Sequence, residues 1–265
     1  MSEPIKTIDG PLLADMTKAA LRWLQSNKEE VNALNVFPIP DGDTGINMVL
    51  TMQAGCDKLN QPVSKSVSEV SSQLANGALM GGRGNSGIIL SQIWRGISNS
   101  LADLDEFNPK QFAVALVQAS ECAYRNVVKP VEGTILTVIK DASKAATHAT
   151  KDEIDIVKLL QQIVLSCEQS VQSTPDLLPI LKQAGKVDAG GFGLQLMFEG
   201  MLRHLCGHPV DISPNRKFQP LDITNIENIL EAVDSNQEWE VVVDLQPYEE
   251  SILDIFYGKL ESKGT

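Results

Sequence analysis

The chain lacks a basic surplus and has few aromatic residues. Its 265 residues include 22 Lys and Arg against 34 Asp and Glu, which gives a formal net charge of -12. This balance argues against nucleic acid or an anionic membrane as a direct partner, because both attract basic surfaces. A phosphate site in such a chain would depend on metal ions and backbone amides more than on a basic patch. Aromatic residues make up 5 % and hydrophobic residues 43 %, which suits packed helices.

Cysteine motifs and long apolar runs are also missing. The four cysteines form no C-x-x-C pair and each falls within a helical pattern, so we expect buried free thiols at Cys56, Cys122, Cys167 and Cys206. No apolar run reaches the ~20 residues of a membrane-spanning helix, and no signal-peptide pattern opens the chain. The expected compartment is the cytosol, without stable membrane insertion.

Apolar residues recur at helical spacing along most of the chain, and no convincing strand pattern occurs before residue 208. We predict eight main helices: about 11–31, 44–59, 64–80, 88–104, from 109 onward, 135–148, 153–173 and from 188 to about 206. A short helical piece is expected between Pro175 and Pro179. The pattern predicts an all-α domain over residues 1–208, arranged as an eight-helix antiparallel up-and-down barrel.

The character of the chain changes after this domain. Residues 209–237 contain three prolines and read as a linker with a short helix. Residues 238–245 have a strand pattern, and residues 248–261 have a helical one. Because a single strand cannot close a sheet, residues 238–265 predict the incomplete start of an α/β middle domain.

Residues 35–47, N-V-F-P-I-P-D-G-D-T-G-I-N, contain two carboxylates on either side of a glycine. Asp41 and Asp43 can bend toward one point across Gly42, and oxygen ligands of this kind suit a hard cation such as Mg²⁺. Thr44 is a good N-cap, so we expect the pair beside a helix N-terminus, where backbone N–H groups favour anions. This combination fits a Mg²⁺-nucleotide, and an Asx-rich turn that only caps a helix is the alternative.

Four loops rich in glycine and hydroxyl residues precede alternate helices of the predicted barrel. They lie at Thr44, at residues 81–87 (G-G-R-G-N-S-G), at residues 133–134 and at residues 188–191 (D-A-G-G). Since consecutive helices would alternate in direction, all four should meet at one rim, where they predict a nucleoside triphosphate site. The site is not of a common type, because the chain has no G-x-x-x-x-G-K-[ST] loop, no Gly-rich βαβ unit and no H-R-D or D-F-G signature.

The same loops carry a family resemblance. Residues 35–48, 82–92 (G-R-G-N-S-G-I-I-L-S-Q), 132–137 (E-G-T-I-L-T) and 187–191 (V-D-A-G-G) resemble, in order, the motifs of the dihydroxyacetone kinase L family. Within that family the chain resembles the N-terminal kinase domain of the bacterial fatty acid kinase A subunit. The resemblance covers about residues 10–208 and implies an eight-helix α-barrel with ATP or ADP and two Mg²⁺ ions at one end.

The resemblance also implies roles for the matching residues. The metal would be held by Asp41 and Asp43, with Asn35 as the nearest candidate for a third ligand that is often acidic in the family. Thr134 would contact the transferred phosphoryl group and complete the catalytic set. The nucleotide-binding residues would be Thr44, Asn47, Gly84, Asn85, Ser86, Gly87, Asp188 and Gly190. Plain helix capping is the alternative role for Ser86 and Thr134.

The reaction implied by the resemblance is transfer of the γ-phosphate of ATP to a fatty acid carboxylate. A separate DegV-like lipid-binding protein would present this carboxylate, and the product would be an acyl phosphate. A carboxylate with a pKa of ~4–5 is already ionised and needs no strong general base, which fits the absence of histidine from the four loops. The alternatives are the ADP-holding subunit of a dihydroxyacetone kinase relay and a nucleotide-sensing module without transfer activity. A homodimer is a further expected assembly.

Overall fold

The computed structural model describes residues 4–211. The predicted linker over residues 209–237, apart from its first three residues, and the predicted middle domain over residues 238–265 lie outside the described residues. Within the described part, no helix combines the length and apolarity needed to cross a bilayer.

Residues 4–211 form ten α-helices and two very short strands. The helices are α1 (Gly10–Ser26), α2 (Lys28–Leu34), α3 (Thr44–Asp57), α4 (Val67–Met80), α5 (Gly84–Ser100), α6 (Pro109–Arg125), α7 (Ile135–Ala149), α8 (Ile156–Leu177), α9 (Pro179–Ala184) and α10 (Ala189–Leu205). The strands β1 (Ile8–Asp9) and β2 (Glu106–Phe107) pair antiparallel. The all-α prediction is confirmed. The expectation of no strand before residue 208 is wrong, because strands of two residues are too short to show an alternating pattern.

The first predicted helix, residues 11–31, is in fact two helices separated at Asn27. Asn27 leaves the helical region, with φ -111° and ψ 9°. Its buried side chain donates from Nδ2 to the Trp23 carbonyl oxygen at 2.7 Å. Asparagine can satisfy backbone groups in this way, which favours a helix end over continuation. The break matters because α2 then turns toward the start of α3.

Two further boundaries differ from the predictions. Helix α5 begins at Gly84 instead of Ile88, and α8 runs through Pro175 to Leu177. Pro175 therefore does not bound the short helix α9. Proline has no N–H for the Val171 carbonyl, but the Thr174 hydroxyl donates to that oxygen at 2.7 Å. Because the carbonyl stays paired, the helix continues past the proline.

The main helices pack around one apolar core. Each of α3 to α8 contacts the next, α8 contacts α10, α10 contacts α1, and α1 contacts both α3 and α4. Trp23, Met48 and Leu90 are among the large side chains that this packing removes from water. The closed series of contacts suits the predicted barrel, while the alternation of helix direction stays a prediction.

All four cysteines are free thiols, as expected, but they differ in burial. Cys167 is buried, Cys56 and Cys122 are half-buried, and Cys206 is exposed at the C-terminal end of α10. The prediction of burial is therefore wrong for Cys206, which lies just past the last helical turn. Burial raises the pKa of Cys56 to about 12.

Candidate functional site

The two aspartates of the predicted metal loop lie close together. Gly42 between them has a positive φ of 70°, which lets the chain turn. The Asp43 N–H points to Asp41 Oδ1 at 3.4 Å, and Asn35 Nδ2 donates a hydrogen bond to the same oxygen. Desolvation and the nearby Asp43 charge raise the pKa of Asp41. The pair therefore concentrates negative charge that a bound cation would relieve.

This donor set fits a hard divalent cation such as Mg²⁺. Proteins hold Mg²⁺ with one or two carboxylates, and water and substrate phosphates complete its coordination. Among residues 4–211, no three His, Cys, Asp or Glu side chains group into a complete metal centre. The two aspartates would thus need oxygens from a ligand. Asn35 directs its amide nitrogen to Asp41, and its role as a third ligand stays a prediction.

A side chain from α2 occupies the N-terminus of α3. Asn32 Oδ1 accepts hydrogen bonds from the N–H groups of Gly45 (2.9 Å) and Ile46 (3.2 Å). Thr44, the predicted N-cap, is instead the first residue of α3, and Asp43 holds the N-cap position without a capping bond from its side chain. The expectation that these amides face an anion is therefore wrong for Gly45 and Ile46, because an acceptor within the chain already satisfies them.

The first turn of α5 lies against the first two turns of α3. Gly84 has a positive φ of 56°, and a Cβ at this position would clash with the side-chain amide of Asn47. The Arg83 N–H donates to Thr51 Oγ1 at 3.2 Å. These contacts bring the 81–87 loop next to the acidic pair, as the sequence predicted.

Helix α5 has no side-chain cap. Its first backbone hydrogen bond runs from the Gly87 N–H to the Arg83 carbonyl oxygen at 3.0 Å. The Gly87 N–H is therefore already used within α5, and a role for Gly87 in nucleotide binding stays a prediction. The first-turn amides without an intrahelical partner belong to Gly84, Asn85 and Ser86.

The N-termini of α7 and α10 are capped and joined to each other. Thr134 Oγ1 accepts from the Leu136 N–H at 3.4 Å and donates to the carbonyl three residues upstream at 2.7 Å. Asp188 accepts from the Gly191 N–H at 2.6 Å and from the N–H of Ile135, the first residue of α7. Both side chains thus serve as helix caps, which was the alternative for Thr134.

Asp188 is 6 % exposed, and burial raises its pKa to about 6, although its two N–H donors favour the charged form. Gly190 lies against the same neighbour, since a Cβ there would be 3.3 Å from the Ile135 Cβ. The two predicted nucleotide residues of α10 are therefore buried between α7 and α10.

Contacts among the helices bring the four N-termini to one region. Helix α3 meets α5 through Asn47 and Gly84, and α10 meets α7 through Asp188. Helix α3 also meets α10, because Met48 Sδ would lie 2.5 Å from a Cβ added at Gly193. Of these four N-termini, that of α5 is the one whose amides donate no hydrogen bond to a capping side chain. The acidic pair and the α5 amides are therefore the groups best placed to bind a metal–phosphate ligand.

Comparison with known proteins gives a family match over this region. The family model of the DAK2 domain matches residues 38–203. Protein YloV of Bacillus subtilis (strain 168) is 47 % identical over 206 residues, which are 78 % of this chain and 37 % of that protein. The uncharacterised Staphylococcus aureus proteins SAB1090 and SA1069 are each 44 % identical over 207 residues, again 78 % of this chain and 38 % of theirs. The chain therefore covers less than two fifths of the length of these relatives.

Proposed function

The chain belongs to the DAK2 domain family, a kinase-related family, and we propose that it transfers the γ-phosphate of ATP to the carboxylate of a fatty acid. A DegV-like lipid-binding protein would hold the fatty acid and present its carboxylate at the N-termini of α3, α5, α7 and α10. The observation that carries the proposal is that the uncapped first turn of α5 contacts Asn47, whose N–H donates to the Asp43 carbonyl oxygen one turn earlier.

Each group of this site has a distinct task in the proposed reaction. Asp41 and Asp43 would hold Mg²⁺, with Asn35 keeping Asp41 in place by its hydrogen bond. Bound Mg²⁺ supplies positive charge that neutralises the phosphates during transfer. The amides of Gly84, Asn85 and Ser86 donate toward phosphate oxygens, where a helix N-terminus favours negative charge.

The distribution of histidine supports a carboxylate acceptor. The chain has three histidines. His148 and His204 lie in the last turns of α7 and α10, and His208 follows α10, so all three are remote from the helix starts that form the site. An alcohol acceptor would need a base to remove its proton, whereas a carboxylate is ionised at neutral pH.

The apolar cavity in the core of the helical domain is small. An apolar cavity between Met16, Trp94 and Phe198 has a volume of about 10 Å³. A cavity of this size holds at most about one water molecule, so it has no room for an acyl chain.

The surface beside the site offers a place for such a carrier to dock. Exposed large apolar side chains occur in the two segments that surround the acidic pair and the α5 N-terminus: Ile39, Ile46, Leu50, Leu79, Met80 and Ile88. Exposed large apolar side chains that are concentrated in one region are typical of protein-binding sites. We assign this apolar surface to the lipid carrier because the acceptor must reach the phosphate there.

The decisive experiment measures phosphate transfer from labelled ATP with and without a DegV-like protein loaded with fatty acid. We expect acyl phosphate only when the chain, Mg²⁺ and the loaded carrier are all present, and Asp43→Ala should abolish it. Free fatty acid dispersed in detergent should be a poor substrate. Rapid acyl phosphate formation without a carrier would contradict the two-component model. Tightly held ADP that does not exchange would instead indicate a dihydroxyacetone kinase relay, and ATP binding without transfer would indicate a sensor.

A further inference from the structure

Four aspartates among residues 4–211 occupy the N-cap position of a helix, and the side chain of one of them makes no capping hydrogen bond. The side chains of Asp9, Asp155 and Asp188 each accept from an N–H in the first turn of their own helix, at 3.0, 2.8 and 2.6 Å. Asp43 makes no such bond with α3. An N-cap aspartate normally bonds the second or third N–H of its helix, so the Asp43 carboxylate is not used in the ordinary way.

Asn32 makes the bonds that Asp43 leaves unmade. Its Oδ1 accepts from Gly45 and Ile46, which are the second and third residues of α3. The approach is close, because a Cβ at Gly45 would clash with the Lys28 carbonyl oxygen of α2. Asn32 is only 9 % exposed. Helix α3 is therefore capped by a residue of the neighbouring helix α2 and not by its own N-cap residue.

We propose that Asn32 is a positioning residue that keeps the Asp43 carboxylate free for the metal by capping α3 in its place. The inference rests on the proposed function, since it assigns Asp43 to Mg²⁺. Helix α2 then holds the acidic loop at both ends, because Asn35 at its C-terminus binds Asp41 and Asn32 binds the amides after Asp43. Nothing in the local sequence of the D-G-D motif supplies this arrangement.

The proposal predicts an unusual response to Asn32→Ala. The backbone of Asp43 has φ -114° and ψ -2°, whereas an N-cap residue that bonds its own helix is extended. Without Asn32, we expect the Asp43 backbone to move to the extended conformation and its side chain to cap α3, so that the helix stays intact but the carboxylate leaves the metal site. We expect the Mg²⁺ concentration that half-saturates ATP binding to rise ~10-fold or more, as for other residues that orient a metal ligand. Asn32→Asp keeps an acceptor for the two amides and should restore a value close to that of the wild type.

The matched control is Asn108→Ala. Asn108 caps α6 through the Gln111 N–H at 3.0 Å, so this variant also loses an asparagine cap, but at a helix outside the site. It should leave the Mg²⁺ requirement of ATP binding unchanged. Calorimetric titration of ATP at a series of Mg²⁺ concentrations measures the effect in all variants. A requirement in Asn32→Ala within about twofold of the wild type, or no recovery in Asn32→Asp, would overturn the inference.

Amide hydrogen exchange without nucleotide gives an independent readout. The Gly45 and Ile46 amides should stay protected in Asn32→Ala, because Asp43 replaces the lost acceptor, and should lose protection in the Asn32→Ala/Asp43→Ala double variant. Equal loss of protection in the single and double variants would contradict the exchange of caps. A wild-type chain that binds no Mg-ATP would instead refute the proposed function, and with it the assignment of Asp43 to the metal.

Discussion

The buried carboxyl of Asp188 should make stability depend on pH in a way that one substitution removes. Asp188 is 6 % exposed, caps α10 and also accepts from the Ile135 N–H of α7. Burial raises its pKa from 3.8 to about 6 in the folded chain. The folded state therefore binds a proton more tightly than the unfolded state between these two pH values, and its stability falls as pH rises through about 6.

The size of the effect follows from the two pKa values. A pKa difference of about two corresponds to about 3 kcal/mol between a fully protonated and a fully ionised Asp188. When the pH is lowered from 7.5 to 5, the contribution of Asp188 to the free energy of unfolding increases by only part of this amount, about 1 kcal/mol. Asp188→Asn cannot titrate, so it should lack this gain. A constant difference in hydrogen bonding between Asp and Asn cancels, because only the change with pH is compared.

Urea unfolding at pH 5.0, 6.0 and 7.5, followed by helical circular dichroism without nucleotide, measures the effect. The free energy of unfolding of the wild type, relative to that of Asp188→Asn, should increase by about 1 kcal/mol as the pH is lowered. Parallel pH profiles for the two proteins would refute the reasoning, since they would mean that Asp188 titrates near its unfolded value. A gain of the wild type toward high pH would give the opposite sign and would also refute it.

Three further predictions concern the site and its surroundings. Asp43→Ala should lower Mg²⁺-dependent ATP affinity at least ~10-fold while circular dichroism shows an unchanged helix content, and unchanged affinity in calorimetry would remove Asp43 from the metal site. Gly84→Ala should lower the free energy of unfolding by at least about 1–2 kcal/mol, because the positive φ of residue 84 is strained for alanine and the new Cβ would clash with Asn47. An unchanged urea midpoint would contradict this prediction. Leu50→Asp should raise the KM for the loaded carrier roughly 10-fold without changing ATP affinity. The control is Leu165→Asp, which should change neither quantity, because Leu165 is 48 % exposed and Leu50 47 %, but Leu165 lies outside the proposed docking surface. Equal effects of the two substitutions would refute the docking surface.

The sequence predicted which segments are helical, because the core-facing residues repeat at helical spacing. Leu160, Val171 and Cys167 of α8, for example, are all buried. Boundaries were less predictable, because they depend on contacts that the spacing does not record. The break at Asn27 follows from a side-chain bond to the Trp23 carbonyl, and the continuation of α8 through Pro175 follows from a hydroxyl that replaces the missing N–H. The Asn at the break was the available signal for the first of these.

The sequence predicted that the four loops meet, from their placement before alternate main helices, and the contacts of Gly84 with Asn47, Gly193 with Met48, and Asp188 with Ile135 agree with it. The sequence could not predict which N–H groups of these loops lack an acceptor within the chain. Thr44 has the right chemistry for an N-cap, yet the cap comes from Asn32, 13 residues before Gly45. Likewise, the first turn of α5 shows its uncapped state only once Arg83 is placed at the N-cap position. A sequence motif names the residues of such a site, while the capping state depends on neighbouring helices.

The contrast among the N-cap aspartates gives the assignment of the acidic pair a physical basis that the D-G-D motif alone does not have. A carboxylate at a helix start is stabilised by the nearby amides, so its default role is to bond them. Asp188 follows this default, because its carboxylate accepts from the Gly191 N–H of its own helix. Asp43 departs from it: its backbone is not extended, with φ -114° and ψ -2°, and Asn32 accepts from the Gly45 and Ile46 amides in its place. The chain thus places a buried amide side chain where a simple cap would suffice, and this is understandable if the carboxylate it replaces is required for a cation.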